Sequence, residues 1–238
     1  MALDFECLND ALDMARSLAG VVGMFKVNTH LFTAAGPEAV ARLSALGTEV
    51  FLDLKFHDIP NTVAGAVGAA ASLPGVRLID LHTMGGPAMM KAGAEALAKD
   101  SRPETRRPQL LGITILTSLD QPTMKRIGMS GTPGTRAVNL ARLAKKSGLD
   151  GVVASPMEIR QIRRACGPKF LIVVPGIRPD QRGGPRKRDD QARVATPAEA
   201  VRAGADYLVV GRPITAASDP AAAAGRIVEE IAAAMRSV

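Results

Sequence analysis

"VFLDLKFHDIPNTV", Val50 to Val63, holds the transition on which the reading of the fold turns. An apolar, strand-like run ends in a burst of charge, and Pro60 then opens an Ala-rich helical pattern, Asn61–Ser72. Asp53, Lys55 and Asp58 place two carboxylates and an ammonium close together at the end of that strand. Burying charge is costly unless it is paired or put to use. The segment is therefore either a surface ion cluster at a strand exit or a catalytic array.

Outward from this β-then-α unit, the same alternation runs through the chain. Strand patterns are expected at Gly23–Val27, Glu49–Lys55, Arg77–His82, Gln109–Leu116, Gly151–Ala154, Phe170–Val174 and Tyr207–Gly211, and "MALDF" supplies a very short one at the start. Helical patterns are expected at Asn9–Leu18, Pro37–Leu46, Asn61–Ser72, Pro87–Ala98, Thr135–Ser147, Pro156–Ala165, Pro197–Ala203 and Pro220–Met235. Strands apolar on both faces, separated by helices, mean a parallel sheet covered by helices. Eight such units in 238 residues fit a (β/α)8 TIM barrel of the α/β class. The competing arrangement, a doubly wound open sheet, lacks a G-x-G-x-x-G after the first strand. With no linker and no break in composition, a single domain over 1–238 is expected.

Composition narrows the function classes. Hydrophobic residues are 47% and charged residues 22%, ordinary for a globular protein. Trp is absent and there is one Tyr, so no base-stacking platform or aromatic cage is in view. Cys7 and Cys166 are too few and too far apart for a disulfide framework or a metal-ligand spacing. The acidic N-terminal stretch does not read as a signal peptide, and no apolar run approaches the roughly 20 residues that span a bilayer. A cytoplasmic protein with no membrane partner is expected. The net charge of +7 allows an anionic substrate. Much of the basicity lies in "SRPETRRP" (Ser101–Pro108) and "RPDQRGGPRKRDD" (Arg178–Asp190), stretches that also read as solvated loops.

In a barrel, chemistry sits at the C-terminal ends of the strands. That rule selects Asp4, Lys26, Asp53, Lys55, His82, Thr117, Arg178 and Arg212. Asp53 and Lys55, two apart on a strand, should share a face, with Lys26 on the neighbouring strand beside them. Asp58 would extend the row to Lys–Asp–Lys–Asp. At the far end, "VVGRPIT" offers Gly211, where a backbone N–H can approach a ligand, and Arg212, whose fork suits an anion. Arg178 and Gln191 flank a Gly-rich basic loop that would serve as a phosphate-gripping lid. For His82 the first reading is a hydrogen-bonded histidine at a strand end, the role of His57 is open, and the ten methionines read as core filling.

These residues, together with "FKVN", "DLHTMGG", "ILTSL", "SPMEI", "PGIRP", "DDQ" and "TPAEAVRAGADYLVVGRPIT" in that order, resemble the bacterial orotidine 5′-phosphate decarboxylase family over nearly the whole chain. The resemblance implies loss of CO2 from orotidine 5′-phosphate to give UMP. It implies neither metal nor organic cofactor, and a homodimer with shared active sites. Lys55 would donate the proton to C6, Asp53 would sit against the scissile carboxylate, and Lys26 would contact ribose while fixing Asp53. Asp58 and Thr62 would reach into the neighbouring subunit's site, with Ile59 beside them in the substrate-binding set. Asp4 would bind ribose, and Thr117 would lie at the base end. Arg178, Gln191, Gly211 and Arg212 would hold the phosphate. The first strand is short, the loop before Gln191 is long, and Asn28 stands where the family pattern leads one to expect Gly.

Two other functions compete. A Mg2+-dependent sugar-phosphate decarboxylase or aldolase of the same superfamily would keep the fold and the array, but would carry extra acidic ligands where strand 4 ends in His82. Nucleic-acid binding through the basic loops lacks aromatic interleaving and a recognised motif.

Overall fold

The computed structural model describes residues 1–100, 102–103, 107–179 and 193–236. Gln191, the 180–190 part of the expected lid, and residues 101 and 104–106 of the first basic stretch lie outside the described residues.

Eight parallel strands follow one another in sequence order: β1 (Ala2–Leu3), β2 (Met24–Asn28), β3 (Glu49–Phe56), β4 (Val76–His82), β5 (Gln109–Ile113), β6 (Gly151–Val153), β7 (Leu171–Val174) and β8 (Tyr207–Leu208). The Ala2 N–H donates to the Val210 carbonyl at 2.7 Å, just past β8, and so joins the last strand to the first. The expected (β/α)8 architecture is the one observed.

Strand alternation sorts the side chains. Val50, Leu52, Ile79, Leu81, Leu110, Val152, Ile172 and Val174 point outward into the main core under the helices. Phe51, Leu78, Leu111 and Val173 form a separate apolar cluster inside the barrel. One step along each strand, the same inward face carries Lys26 after Met24, Asp53 after Phe51 and Asp80 after Leu78. Charge is thus set directly on an apolar plug.

The helices keep close to their sequence patterns: α1 (Leu8–Ser17), α3 (Pro37–Ser44), α4 (Pro60–Ser72), α5 (Gly86–Ala98), α7 (Pro133–Lys146), α9 (Pro197–Ala203) and α11 (Pro220–Met235). Among the described residues, three short helices join those expected: α2 (Thr29–Ala35), α6 (Gln121–Arg126) and α10 (Arg212–Thr215). Two of them begin at side-chain caps. Asn28 Oδ1 accepts the Leu31 N–H at 2.9 Å, and Asp120 Oδ1 accepts the Thr123 N–H at 2.9 Å. The Pro156–Ala165 pattern divides into a 3-10 turn, Pro156–Glu158, and α8, Ile159–Cys166. Strand β5 stops at Ile113, before the expected Leu116. Core filling holds for Met89, Met90 and Met124, but Met84, Met157 and Met235 are exposed.

Candidate active site

The centre of the site is the C-terminal end of β3. Its pairing with β4 slips there: Leu52 faces Ile79 and Phe56 faces Leu81, so three residues, Asp53 to Lys55, stand opposite Asp80 alone. The slip places Lys55 at φ 51°, the one non-glycine residue with positive φ among the described residues. A side chain in this left-handed region costs about 1 kcal/mol or more. The turned Lys55 amide donates to Asp80 Oδ1 at 2.8 Å. Asp53 and Lys55 do share the inward side, as their spacing suggests, but through a bulge rather than a regular pleat.

Asp53 lies between two ammoniums. Lys26 Nζ is 2.8 Å from Asp53 Oδ2, and Lys55 Nζ bonds Asp53 Oδ1. Lys26 also lies 3.8 Å from Asp4 Oδ1. The side chain of Lys26 is 12% exposed and that of Lys55 36%, so Lys55 is the member that opens onto the cavity. Burial alone would push the Asp53 carboxyl up, but Lys26, a hydrogen bond from Asp80 and Lys55 hold it well below the usual carboxylate range. Burial likewise opposes the charge on Lys26, and Asp53 and Asp4 override it, so its pKa is raised.

A cavity of about 240 Å3 opens over this array. Asp4, Lys26, Asp53 and Lys55 line it together with Thr117, Arg178, Gly211 and Arg212. Asp4 is held in place by Asn28, whose Nδ2 donates to Asp4 Oδ1 at 2.9 Å. Asn28 has φ −91°, an ordinary extended value, so the backbone there has no need of Gly. Gly211 also has negative φ, and a Cβ on it would make ordinary contact with Asp4 and Ala2. Its missing side chain serves instead to line the cavity with backbone alone.

Asp58, Ile59 and Thr62 do not join the array within this chain. All three are exposed on the rim beyond β3, Ile59 by 66%, and Asp58 Oδ1 accepts the Ile59 N–H at 2.6 Å. His82 matches its structural reading: Nδ1 accepts the Met84 N–H, and the ring stacks on His57 at 5.2 Å. Burial, then His57 and Lys55, lower its pKa to about 4.

Residue selection at strand ends missed Asp80, Asn28 and Arg193. Asp80 opens the quoted "DLHTMGG", a carboxylate preceded by the apolar Leu78-Ile79, which was the available signal. Arg193 pairs with the buried Glu158 and donates to the Leu116 carbonyl, tying the segment after β7 to two neighbouring loops. Among the described residues, no three of His, Cys, Asp and Glu are placed to hold a metal ion.

Comparison with known proteins agrees over the same span. The sequence model described as "Orotidine 5'-phosphate decarboxylase / HUMPS family" matches residues 1–227. An orotidine 5′-phosphate decarboxylase of Trichlorobacter lovleyi is 54% identical over 235 residues, covering 99% of this chain and 95% of that protein. One from a Geobacter species is 53% identical over 232 residues, covering 98% and 95%. The crystal structure of the Lactobacillus acidophilus orotidine 5′-phosphate decarboxylase superposes with a TM-score of 0.82 at 36% identity, covering 97% of this chain and 96% of that one. From barrel, charge array and kinship together, the chain belongs to the orotidine 5′-phosphate decarboxylase / HUMPS family.

Proposed function

We propose that this protein decarboxylates orotidine 5′-phosphate to UMP and CO2, the last step of de novo UMP synthesis, as a single domain. The observation that carries the reading is the Lys26–Asp53–Lys55 array in a cavity that Arg178, Gly211 and Arg212 also line.

Breaking the C6–carboxylate bond leaves an electron pair in the plane of the pyrimidine ring, where the π system cannot delocalise it. Stabilisation must then come from fixed charge placed where the pair develops. The Lys55 ammonium supplies that charge and then transfers a proton to C6, leaving UMP and a neutral amine. Asp53 orients Lys55 and lies against the departing carboxylate. Lys26 fixes Asp53 and, with Asp4, takes the ribose, while Thr117 takes the base end. These groups are oriented before substrate arrives, so little reorganisation is left for the reacting step.

The phosphate is remote from C6, so its binding energy acts indirectly, by seating the nucleotide over the array. Arg178, Gly211 and Arg212 carry this role, and Gln191 joins them. No metal and no organic cofactor is needed in this scheme.

The exposed Asp58, Ile59 and Thr62 are the part of the site that one protomer leaves unused. In a homodimer they would complete the partner's site, and exposed Ile59 and Met84 on adjoining loops suit apolar contact with a second copy. The compartment proposed is the cytoplasm, in keeping with two unpaired cysteines.

The decisive assay follows loss of orotidine 5′-phosphate by absorbance, with and without EDTA. Turnover unaffected by the chelator supports the proposal, and its absence in pure folded protein rejects it. Mixing Lys55→Ala with Asp58→Ala protomers tests the shared site: about one quarter of wild-type activity should return, because each heterodimer regains one intact site. No recovery after subunit exchange would rule out sharing.

A further inference from the structure

Asp80 takes no part in the scheme above, yet it is the most deeply buried carboxylate of the barrel interior, with 0% exposure. Its two oxygens are used unequally. Oδ1 accepts the Lys55 amide at 2.8 Å. Oδ2 is buried with no donor among the described residues, and the side chain that the Asp80 carboxyl meets is the carboxylate of Asp53. An ionised oxygen in that position would be desolvated, unbonded and beside a second negative charge, three penalties at once. A protonated oxygen reverses them, because it has a hydrogen to give and Asp53 has a lone pair to receive it.

We propose that Asp80 is a positioning residue kept as the neutral acid: Oδ1 locks the Lys55 backbone in its left-handed turn while the Oδ2–H is donated to Asp53. The charges around it agree. Asp53 and Lys55 face it from β3, Lys26 lies beyond Asp53 on β2, His82 follows on its own strand, and the β5 residue paired with it is the apolar Leu111. Burial and the neighbouring Asp53 charge together push the Asp80 carboxyl well above its ordinary value, and Lys55 offsets only part of this. The division of labour is the one seen wherever two carboxyls share a site: one holds the charge and its neighbour holds the proton. One carboxyl group thus fixes the donor lysine twice, through its backbone and through the carboxylate that its ammonium grips.

The chemistry distinguishes a proton donor from a charge by a single substitution. Asp80→Asn keeps an acceptor for the Lys55 amide and an N–H to offer Asp53, so it imitates the neutral acid but not the carboxylate. Asp80→Ala supplies neither. Asp80→Asn should retain kcat within about threefold of wild type. Asp80→Ala should lower kcat about 10²-fold with KM changed far less, because the nucleotide is still held while Lys55 loses its setting. The kinetic arm rests on the decarboxylase reading. A second readout does not: at neutral pH the infrared difference between wild type and Asp80→Asn should contain the carbonyl stretch of a protonated carboxylic acid. That band stands even if the enzyme acts on another substrate, and even if Asp80→Ala does not fold. Equal loss of kcat in the Asn and Ala variants, or a difference spectrum showing an ionised carboxylate, would overturn the proposal.

Discussion

Replacing Asp53 by Asn tests the charge array where it is most tightly built. In the native protein, Asp53 Oδ2 lies 2.8 Å from the Lys26 ammonium. At an effective dielectric near 20 their attraction is about 6 kcal/mol, and desolvation of both groups takes back part of it. The amide would leave Lys26 and Lys55 as two neighbouring cations without their shared counterion. Asp80 would recover some of the deficit by releasing its proton and taking over the negative charge. Removing one partner of such a buried pair costs roughly 3–5 kcal/mol, against total stabilities of about 5–15 kcal/mol. For a domain of this size that lowers Tm by roughly 6–20 °C. The assay is thermal unfolding followed by circular dichroism at neutral and alkaline pH. In wild type the Lys26 pKa is raised, so its contribution is complete below its unfolded value near 10.5 and fades as pH climbs through the folded one. In Asp53→Asn, burial dominates and depresses Lys26, so charging it opposes folding. The Tm gap to wild type should therefore narrow as pH rises. A neutral-pH Tm within about 2 °C of wild type would refute the coupling of Lys26 to Asp53.

Three further outcomes follow from the same geometry. Lys55→Ala should abolish measurable decarboxylation while UMP binding, followed by calorimetry, persists; retained turnover would remove Lys55 as proton donor. Arg212→Ala should lower kcat/KM by about 1.4–2.7 kcal/mol, a tenfold to hundredfold loss, with an unchanged unfolding curve, and near-native kinetics would count against the phosphate grip. Asn28→Ala should lose the α2 cap, worth about 1 kcal/mol, and free Asp4, raising KM. Asn28→Asp restores the cap but opposes Asp4 with a like charge, so stability should return without KM, and joint recovery of both would contradict the assigned contact.

The barrel was legible because its signals are local. Short runs apolar on both faces gave the strands, and Pro at helix starts such as Pro197 and Pro220 gave helix boundaries that match those observed. The array was legible in part, since Lys26, Asp53 and Lys55 fall at strand ends by simple alternation. What stayed hidden depends on pairing between strands. Nothing in "FLDLKF" announces a three-against-one slip or a left-handed lysine, because the cause is the neighbouring strand. Asp80 lies two residues before the end of β4, outside the strand-end rule, and its depth in the barrel decides its chemistry. Asn28 stood out for the wrong reason: the structure explains it as the local cap of α2 and as a donor to Asp4, and the second contact depends on a residue 24 positions away.

The left-handed turn at residue 55 also bears on how this protein can change. Glycine would accept that conformation without steric cost, and asparagine more readily than lysine does. Thermal robustness and turnover therefore pull position 55 in opposite directions. A library screened for heat tolerance without an activity gate should drift toward sturdier barrels that no longer work, and would do so at the residue proposed to donate the proton.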